Sequence, residues 1–300
     1  MTALRDPVVE VDGIPMSALV REATEPRAVI VALHGGAVTC QYFDPPGSPA
    51  QWSLLRTGAA LGFTVIALDR PGYGSSFPYA DRMKSAARRI DLAYKAIDRL
   101  LEGRSRGAGV FLMGHSMGCV LTVRMAADAR GAELLGMEIA GTGRHPHPRS
   151  MPVMGAMVNG AGERVPDGAA LLRDILWGPE HLYPADAANA SIASPEAPAY
   201  EGGEVRDWVR DLPELAAQVK VPVHYTLGDH EMVWRSGPQG LADIAGLFTV
   251  SPRVVTDEQA AAGHNLSRGR SALAYHLKVL SFTEECVLDR ERMEGNDKRC

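Results

Sequence analysis

The sequence predicts an α/β fold in which helices flank a mostly parallel sheet, and two observations indicate it. Three short, nearly continuous apolar runs, over Ala28–Leu33, Thr64–Leu68 and Val110–Met113, are typical of strands buried on both faces of a parallel sheet. Helical segments lie between these runs, and such alternation favours right-handed crossovers within one sheet. With 300 residues, 46% of them hydrophobic, the chain is long enough to bury one large core.

The N-terminal residues predict a strand pair ahead of the parallel strands. Val8–Val11 and Met16–Val20 are joined through Asp12-Gly13, which supplies the positive φ that a tight hairpin requires. The clearest helix is predicted over residues 81–102, where apolar residues recur at three- and four-residue steps. Gly103 follows this helix and is expected to end it.

The same alternation continues in the second half of the chain. A helix is predicted after Ser116, followed by a strand over Leu134–Ile139. Further strands are predicted over Val221–Leu227 and Arg253–Thr256, and a last helix over residues 266–282. These elements complete one α/β sheet.

One segment lacks the regular alternation of apolar strands and helices. It spans residues 143–212 and holds eight prolines, which are expected to break any long element. We interpret it as an inserted lid subdomain. Residues 1–142 and 213–288 then form the first and second parts of the core, and the charge-dense tail over residues 289–300 is expected to fray.

Composition and charge argue against several classes of partner. A formal net charge of −5 gives no electrostatic footprint for nucleic acid. The first residues hold no apolar run of signal-peptide length, and no run approaches the length of a membrane span, so we expect a cytoplasmic protein with no membrane partner. The four cysteines lie far apart without metal-ligand spacing, so neither a disulfide framework nor a metal site is predicted.

A Gly-x-Ser-x-Gly pattern, Gly114-His115-Ser116-Met117-Gly118, marks the candidate nucleophile. A buried strand precedes it and a helix with apolar periodicity follows, which places Ser116 on a strand-to-helix elbow. The backbone there is too crowded for side chains, so glycines are needed two residues before and after the serine. Such an elbow holds the hydroxyl above the sheet, beside the positive end of the helix dipole.

These features resemble the α/β-hydrolase superfamily, and the resemblance spans nearly the whole chain in the order of the α/β-hydrolase fold. Residues 33–36, Leu-His-Gly-Gly, are similar to the family's His-Gly turn, whose following residue donates a backbone N–H to the oxyanion. The resemblance therefore implies an oxyanion hole formed by the N–H groups of Gly36 and Met117. The histidine of that turn is expected to brace it. Residues 69–76 are similar to the family's Asp-x-x-Gly-x-Gly-x-Ser loop, which is more structural than catalytic.

His264 is the candidate general base. A serine hydroxyl is a weak nucleophile at neutral pH, and histidine has the pKa that suits a base within hydrogen-bond reach. Gly263-His264 follows the last predicted strand and precedes the last helix, where the family places its catalytic histidine. Other histidines lie in the lid segment, in a strand or within a helix and lack this placement: His145, His147, His224 and His276.

The third member of the site is expected to be a carboxylate that fixes the imidazole tautomer. Residues 227–231, Leu-Gly-Asp-His-Glu, follow a predicted strand and resemble the family's Gly-x-x-Asp turn, which places the acid at Glu231. This departs from the family, in which aspartate is usual. Asp229 is the second candidate, and Glu138, a carboxylate within an apolar strand, and a site without an acid remain as alternatives. The order Ser, acid, His matches that of α/β-hydrolases.

These residues imply a serine hydrolase that cleaves a carboxylic ester or thioester through an acyl-enzyme, with no cofactor or metal. Ser116 argues against epoxide hydrolases and haloalkane dehalogenases of this fold, which use aspartate at the elbow. The same residues suffice for a C–C bond or lactone hydrolase, an acyltransferase or a ligand-binding receptor. The apolar lid residues suit a small-molecule substrate with a largely apolar acyl or alkyl part, and Trp177 is expected to contact it. The oligomeric state is not predicted.

Overall fold

The computed structural model describes residues 3–159, 167–185, 187, 192–194 and 196–297. Within them, eight strands form one sheet with helices packed on both faces. The strands are β1 (Val8–Val11), β2 (Ile14–Arg21), β3 (Val29–Leu33), β4 (Thr64–Leu68), β5 (Val110–His115), β6 (Gly136–Ala140), β7 (Val223–Gly228) and β8 (Val254–Gln259). The helices are α1 (Leu54–Ala60), α2 (Ala86–Leu100), α3 (Met117–Ala127), α4 (Met151–Asn159), α5 (Gly168–Trp177), α6 (Tyr200–Ala216), α7 (Gly237–Ala245) and α8 (Ala272–Asp297).

Strand β3 shows why the apolar runs are continuous. Val29, Val31 and Leu33 enter a core that includes residues of α2, α3 and α6. The alternate residues Ile30 and Ala32 enter a second core on the opposite face, with residues of α1 and α8. Because successive side chains of a strand point to opposite faces, a strand covered on both sides needs an apolar residue at every position.

The register of the sheet gathers several loops at one edge. The strand order is β1-β2-β4-β3-β5-β6-β7-β8, with antiparallel β1–β2 and β2–β4 pairs and parallel pairs elsewhere. Leu33 lies opposite both Leu68 and Gly114, so the chain leaves β3, β4 and β5 at the same level. Gly228 lies opposite Gln259, which brings the ends of β7 and β8 to the same carboxyl edge.

Three helices outside residues 141–222 differ from the sequence prediction, in addition to the longer C-terminal helix described below. The helix expected over residues 81–102 is shorter, because α2 begins at Ala86 after Ser85 caps it, and residues 74–83 form a 3-10 helix that contains Pro78. Helices α1 and α7 were not predicted. They have seven and nine residues, so each offers too few turns for apolar periodicity to show.

The segment between β6 and β7 (residues 141–222, the β6–β7 segment) contains α4, α5 and α6. The expectation that its prolines break every long element is wrong for α6, which has 17 residues. Pro198 precedes this helix and the next proline, Pro213, falls in its last turn, so the intervening residues are free to form it. Helix α6 packs against α3, the helix that follows Ser116, and against α4.

The C-terminal residues extend α8, where fraying was expected from residue 289. The helix continues to Asp297, which corrects that expectation for residues 289–297, whereas residues 298–300 lie outside the described part. Two contacts stabilise the first part of this extension: Arg290 donates to the Leu134 carbonyl at 3.2 Å, and Arg292 pairs with Asp289. No helix in the described part of the chain combines the length and apolar character needed to cross a bilayer.

Glu138, one of the alternatives for the third site residue, belongs to a separate buried cluster. Its Oε2 lies 2.5 Å from His224 Nδ1 on the neighbouring strand β7, and its Oε1 accepts a hydrogen bond from Tyr275 Oη at 3.1 Å. All three side chains are buried. Burial alone lowers the pKa of His224, but the Glu138 carboxylate outweighs it, and the pKa is raised above its ordinary value of 6.5.

This raised pKa predicts a loss of stability with rising pH. The folded chain holds the His224 proton at a pH where the unfolded chain releases it, so the contribution is complete below about pH 6.5 and is lost as pH rises through the folded pKa. One proton gives a slope of at most about 1.4 kcal/mol per pH unit. Urea unfolding at pH values roughly one unit apart, from about pH 6 to about pH 9, measures this slope. The slope should flatten in His224→Gln, and an unchanged slope would contradict the assignment.

Candidate active site

The backbone at Ser116 has the strained geometry of a nucleophile elbow. Ser116 lies between the end of β5 and the start of α3 with φ 51° and ψ −120°, a conformation that non-glycine residues rarely adopt. A Cβ added at Gly114 would collide with Thr122 Oγ1, and one added at Gly118 would collide with the Leu33 carbonyl. The two glycines are therefore required by space, for the reason that the sequence indicated.

A hydrogen-bond chain connects Ser116 to two further side chains. His264 Nε2 lies 3.0 Å from Ser116 Oγ, and His264 Nδ1 lies 2.9 Å from Glu231 Oε2 and 3.0 Å from Glu231 Oε1. The carboxylate accepts from Nδ1–H, which leaves Nε2 unprotonated and able to accept the serine proton. The structure thus brings together the three residues that the sequence singled out from distant positions.

The two candidate carboxylates of the β7 turn have different partners. Glu231 is buried and, besides His264, its Oε1 accepts from the backbone N–H groups of Val233 at 2.7 Å and Trp234 at 3.4 Å. Asp229 instead accepts from the N–H groups of Ala261 and Ala262, at 2.9 and 3.0 Å, and so fixes the loop that leads to His264. Burial opposes ionisation of Asp229, but these N–H groups and His230 lower its pKa.

His115, the second residue of the Gly-x-Ser-x-Gly pattern, holds the backbone of His264 in place. Its Nε2–H donates to the backbone carbonyl of His264 at 2.9 Å, and its ring stacks on Tyr42 with centroids 4.7 Å apart. Burial lowers the pKa of His115 to about 3, so the ring is neutral at physiological pH. No sequence signal indicates this role, because the second position of that pattern accepts many residues.

The loop after β3 lies beside Ser116. Gly36 and Met117 line the same cavity as Ser116, and a Cβ added at Gly36 would lie 3.3 Å from Met117 Cγ. Within the described residues, no protein acceptor takes a hydrogen bond from either backbone N–H. His34 braces this loop as expected: Nδ1–H donates to the Gly35 carbonyl at 2.8 Å, and Nε2 accepts from the N–H of Arg70 at 3.1 Å.

Two cavities meet at Ser116 and His264. The larger has a volume of about 410 Å³ and extends beneath α4, α5 and α6. Its wall is mainly apolar and includes Met154, Leu172, Ile175, Leu176, Val205, Trp208 and Trp234. The smaller, of about 200 Å³, is lined by Trp177, Ile192 and Asn265 among others. Trp177, which is expected from the sequence to contact substrate, lines the smaller cavity and packs edge-on against Tyr183.

Two hydrogen bonds connect the β6–β7 segment to the residue after His264. Asn265 Nδ2 donates to the Leu176 carbonyl at 2.9 Å, and the Asn265 N–H donates to Tyr183 Oη at 3.2 Å. These bonds connect the residue after His264 to the end of α5. The walls of both cavities and the position of His264 therefore depend on the same segment.

The chain is similar to several known proteins. Protein ABHD14A of Danio rerio is 35% identical over 89 residues, a match that covers 30% of this chain and only 30% of that protein's length. A carboxyl esterase from Bacillus coagulans, solved in complex with glycerol, has a TM-score of 0.65 and 16% identity and covers 96% of this chain and 100% of its own. The thioesterase domain from the curacin biosynthetic pathway has a TM-score of 0.57 and 17% identity, covering 93% and 99%.

At these identities the solved structures show a shared fold. A family model shows membership of a family as well, because it matches residues 30–274, from β3 into α8, and so spans every element that borders the site. That family is described as the alpha/beta hydrolase family, and the chain belongs to it.

Proposed function

We propose that the protein is a serine hydrolase that cleaves a carboxylic ester or thioester through an acyl-enzyme. The observation that carries the proposal is the hydrogen-bond chain from Ser116 Oγ through His264 to Glu231, which opens onto an apolar cavity. A nucleophile within 3.0 Å of a base that a carboxylate orients is the arrangement needed for acyl transfer.

The proposed reaction proceeds in two halves. His264 Nε2 takes the proton of Ser116 as Oγ attacks the substrate carbonyl, and the resulting oxyanion faces the N–H groups of Gly36 and Met117. The imidazolium, stabilised by Glu231, then protonates the leaving alcohol or thiol as the C–O or C–S bond breaks. In the second half His264 takes a proton from water, the hydroxide attacks the acyl-enzyme, and the same proton returns to Ser116 Oγ.

The two cavities suit the two parts of such a substrate. The larger is lined mostly by carbon and has room for an acyl or alkyl chain of medium length. The smaller, with Trp177 and Asn265, then holds the leaving group, and Trp177 contacts substrate there. Helices α4, α5 and α6 form the roof over the larger cavity, which supports the role of the β6–β7 segment as a lid.

A substitution at the rim of the larger cavity tests this division. Gly202 lines the cavity from α6, and an added Cβ would meet no heavy atom within 4 Å. In Gly202→Leu, kcat/KM for aryl esters and acyl thioesters with octanoyl or longer chains is expected to fall by about 10-fold or more. Acetyl and butyryl esters should be affected by less than about twofold.

Gly203→Leu is the matched control, since Gly203 lies one residue further along α6 and its added Cβ would face only Arg206 Nη2, at 3.6 Å. Both substitutions remove a glycine from a helix and should raise the free energy of unfolding by about 0.5–1 kcal/mol. Equal losses across all chain lengths, or the same chain-length profile in both variants, would refute the assignment of the acyl cavity.

A further inference from the structure

The peptide unit between Gly35 and Gly36 is held from its carbonyl side. The Gly35 carbonyl accepts a hydrogen bond from Arg70 Nη2 at 2.9 Å and another from His34 Nδ1 at 2.8 Å. A trans peptide is planar, with its C=O and N–H pointing in opposite directions. Two bonds that fix the Gly35 carbonyl therefore also fix the direction of the Gly36 N–H, which is the proposed oxyanion donor.

Arg70 is in turn held by the β6–β7 segment. Its Nη2 also donates to Glu201 Oε1 on α6 at 2.5 Å, and both side chains are buried, with 1% and 8% of their side-chain surface exposed. Glu201 Oε2 would lie 3.2 Å from a Cβ at Gly36, so the carboxylate is next to the loop itself. The next peptide is fixed as well, because the Ala37 N–H donates to Tyr73 Oη at 3.1 Å.

A buried guanidinium on the Gly35 carbonyl has an electrostatic consequence. A charge-assisted hydrogen bond polarises the acceptor, and in a low-dielectric site hydrogen bonds in series strengthen one another. Polarising the carbonyl end of the peptide makes its N–H end a stronger donor. Arg70 thus acts on both the direction and the strength of the Gly36 N–H.

We infer that Arg70 and Glu201 are positioning residues for the oxyanion hole, through which docking of α6 orients and polarises the Gly36 N–H. The inference rests on the proposed serine hydrolase activity. It assigns to α6 a part in transition-state stabilisation in addition to its part in the cavity wall. Glu201 also lines the larger cavity, but neither side chain bonds to Ser116 or His264, so the expected effect is on kcat more than on KM.

The chain offers a matched control one turn further along α6. Glu204 forms a second buried ion pair between α6 and the core, with Arg89. Arg89 also lies 4.0 Å from the ring centroid of Tyr200, and its other donors go to the Met83 and Lys84 carbonyls, away from the loop after β3. Loss of this pair should weaken the attachment of α6 without acting on the Gly36 N–H.

The experiment compares Arg70→Met and Glu201→Gln with Arg89→Met and Glu204→Gln. Each preparation is assayed on an aryl ester. The concentration of active sites is measured by complete reaction with a fluorophosphonate, and kcat is expressed per active site. Arg70→Met is expected to lose about 10- to 100-fold in kcat, with KM changed by less than about threefold. The inhibition constant of an alkylboronic acid, whose tetrahedral adduct with Ser116 places an oxygen in the oxyanion hole, should rise by a similar factor.

Glu201→Gln keeps the shape of the side chain and removes its charge, so it should fold even if Arg70→Met does not, and it should lose about 3- to 10-fold in kcat. The Arg89 and Glu204 variants should lose thermal stability but keep kcat per site within about twofold. If both Arg70 and Glu201 variants keep wild-type kcat per site, the positioning role is wrong although the activity stands. If the wild-type protein hydrolyses no ester, or does so without Ser116, the proposed function fails and this inference with it.

Discussion

Replacement of Ser116 by alanine is expected to abolish ester hydrolysis, with kcat reduced by at least about 10³-fold. The hydroxyl proposed to form the acyl-enzyme is lost, and no other hydroxyl is placed within hydrogen-bond distance of His264 Nε2 in the described part of the chain. The fold should persist, because alanine removes one oxygen atom at a position where His264 stays bonded to Glu231. Steady-state turnover and thermal unfolding of the same preparation measure both expectations.

Labelling by a fluorophosphonate provides an independent readout. The wild-type protein should take up one equivalent and Ser116→Ala none. Ser281→Ala is a suitable control, since Ser281 is exposed on α8, and it should keep wild-type turnover and labelling. Retention of more than about 3% of the activity in Ser116→Ala, or labelling at another residue, would reject Ser116 as the nucleophile.

The positions of Ser116 and His264 could be predicted, the first from a local pattern and the second from the order of elements. Ser116 lies where a buried strand passes into a helix, and the two glycines that permit this turn are its second neighbours in the chain. His264 is found from the order of elements, as the histidine between the last strand and the last helix. Glu231 and Asp229 cannot be separated in this way, because they share one turn and differ only in which atoms each one reaches.

The supporting residues could not be predicted, because their roles depend on contacts between distant segments. Arg70 and Glu201 are 131 residues apart. From the sequence alone, an arginine in a turn and a glutamate on a helix are expected to be exposed to solvent. His115 bonds to a carbonyl 149 residues away. Such contacts follow from the docking of α6 and of the loop after β8 (residues 260–265, the β8 loop) onto the sheet edge, which apolar periodicity does not encode.

Glu231→Gln is expected to reduce kcat by about 10²- to 10⁴-fold, whereas Asp229→Asn should reduce it by less than about 10-fold. The backbone donors explain the large loss. The N–H groups of Val233 and Trp234 both point at Oε1, so a glutamine would place its carbonyl oxygen there and turn its NH₂ group toward His264 Nδ1, 2.9 Å from Oε2. An NH₂ donor at Nδ1 holds the imidazole proton on Nε2, which then cannot accept the proton of Ser116.

Asp229→Asn tests the other carboxylate of the same turn. Asparagine keeps one acceptor for the Ala261 and Ala262 N–H groups but loses the charge, so the free energy of unfolding should fall by about 1 kcal/mol and the β8 loop should loosen. Turnover at saturating substrate and urea unfolding of both variants separate the two roles. Small and equal losses of kcat would mean that the carboxylate serving His264 is not Glu231, since only one of the two side chains bonds to the imidazole.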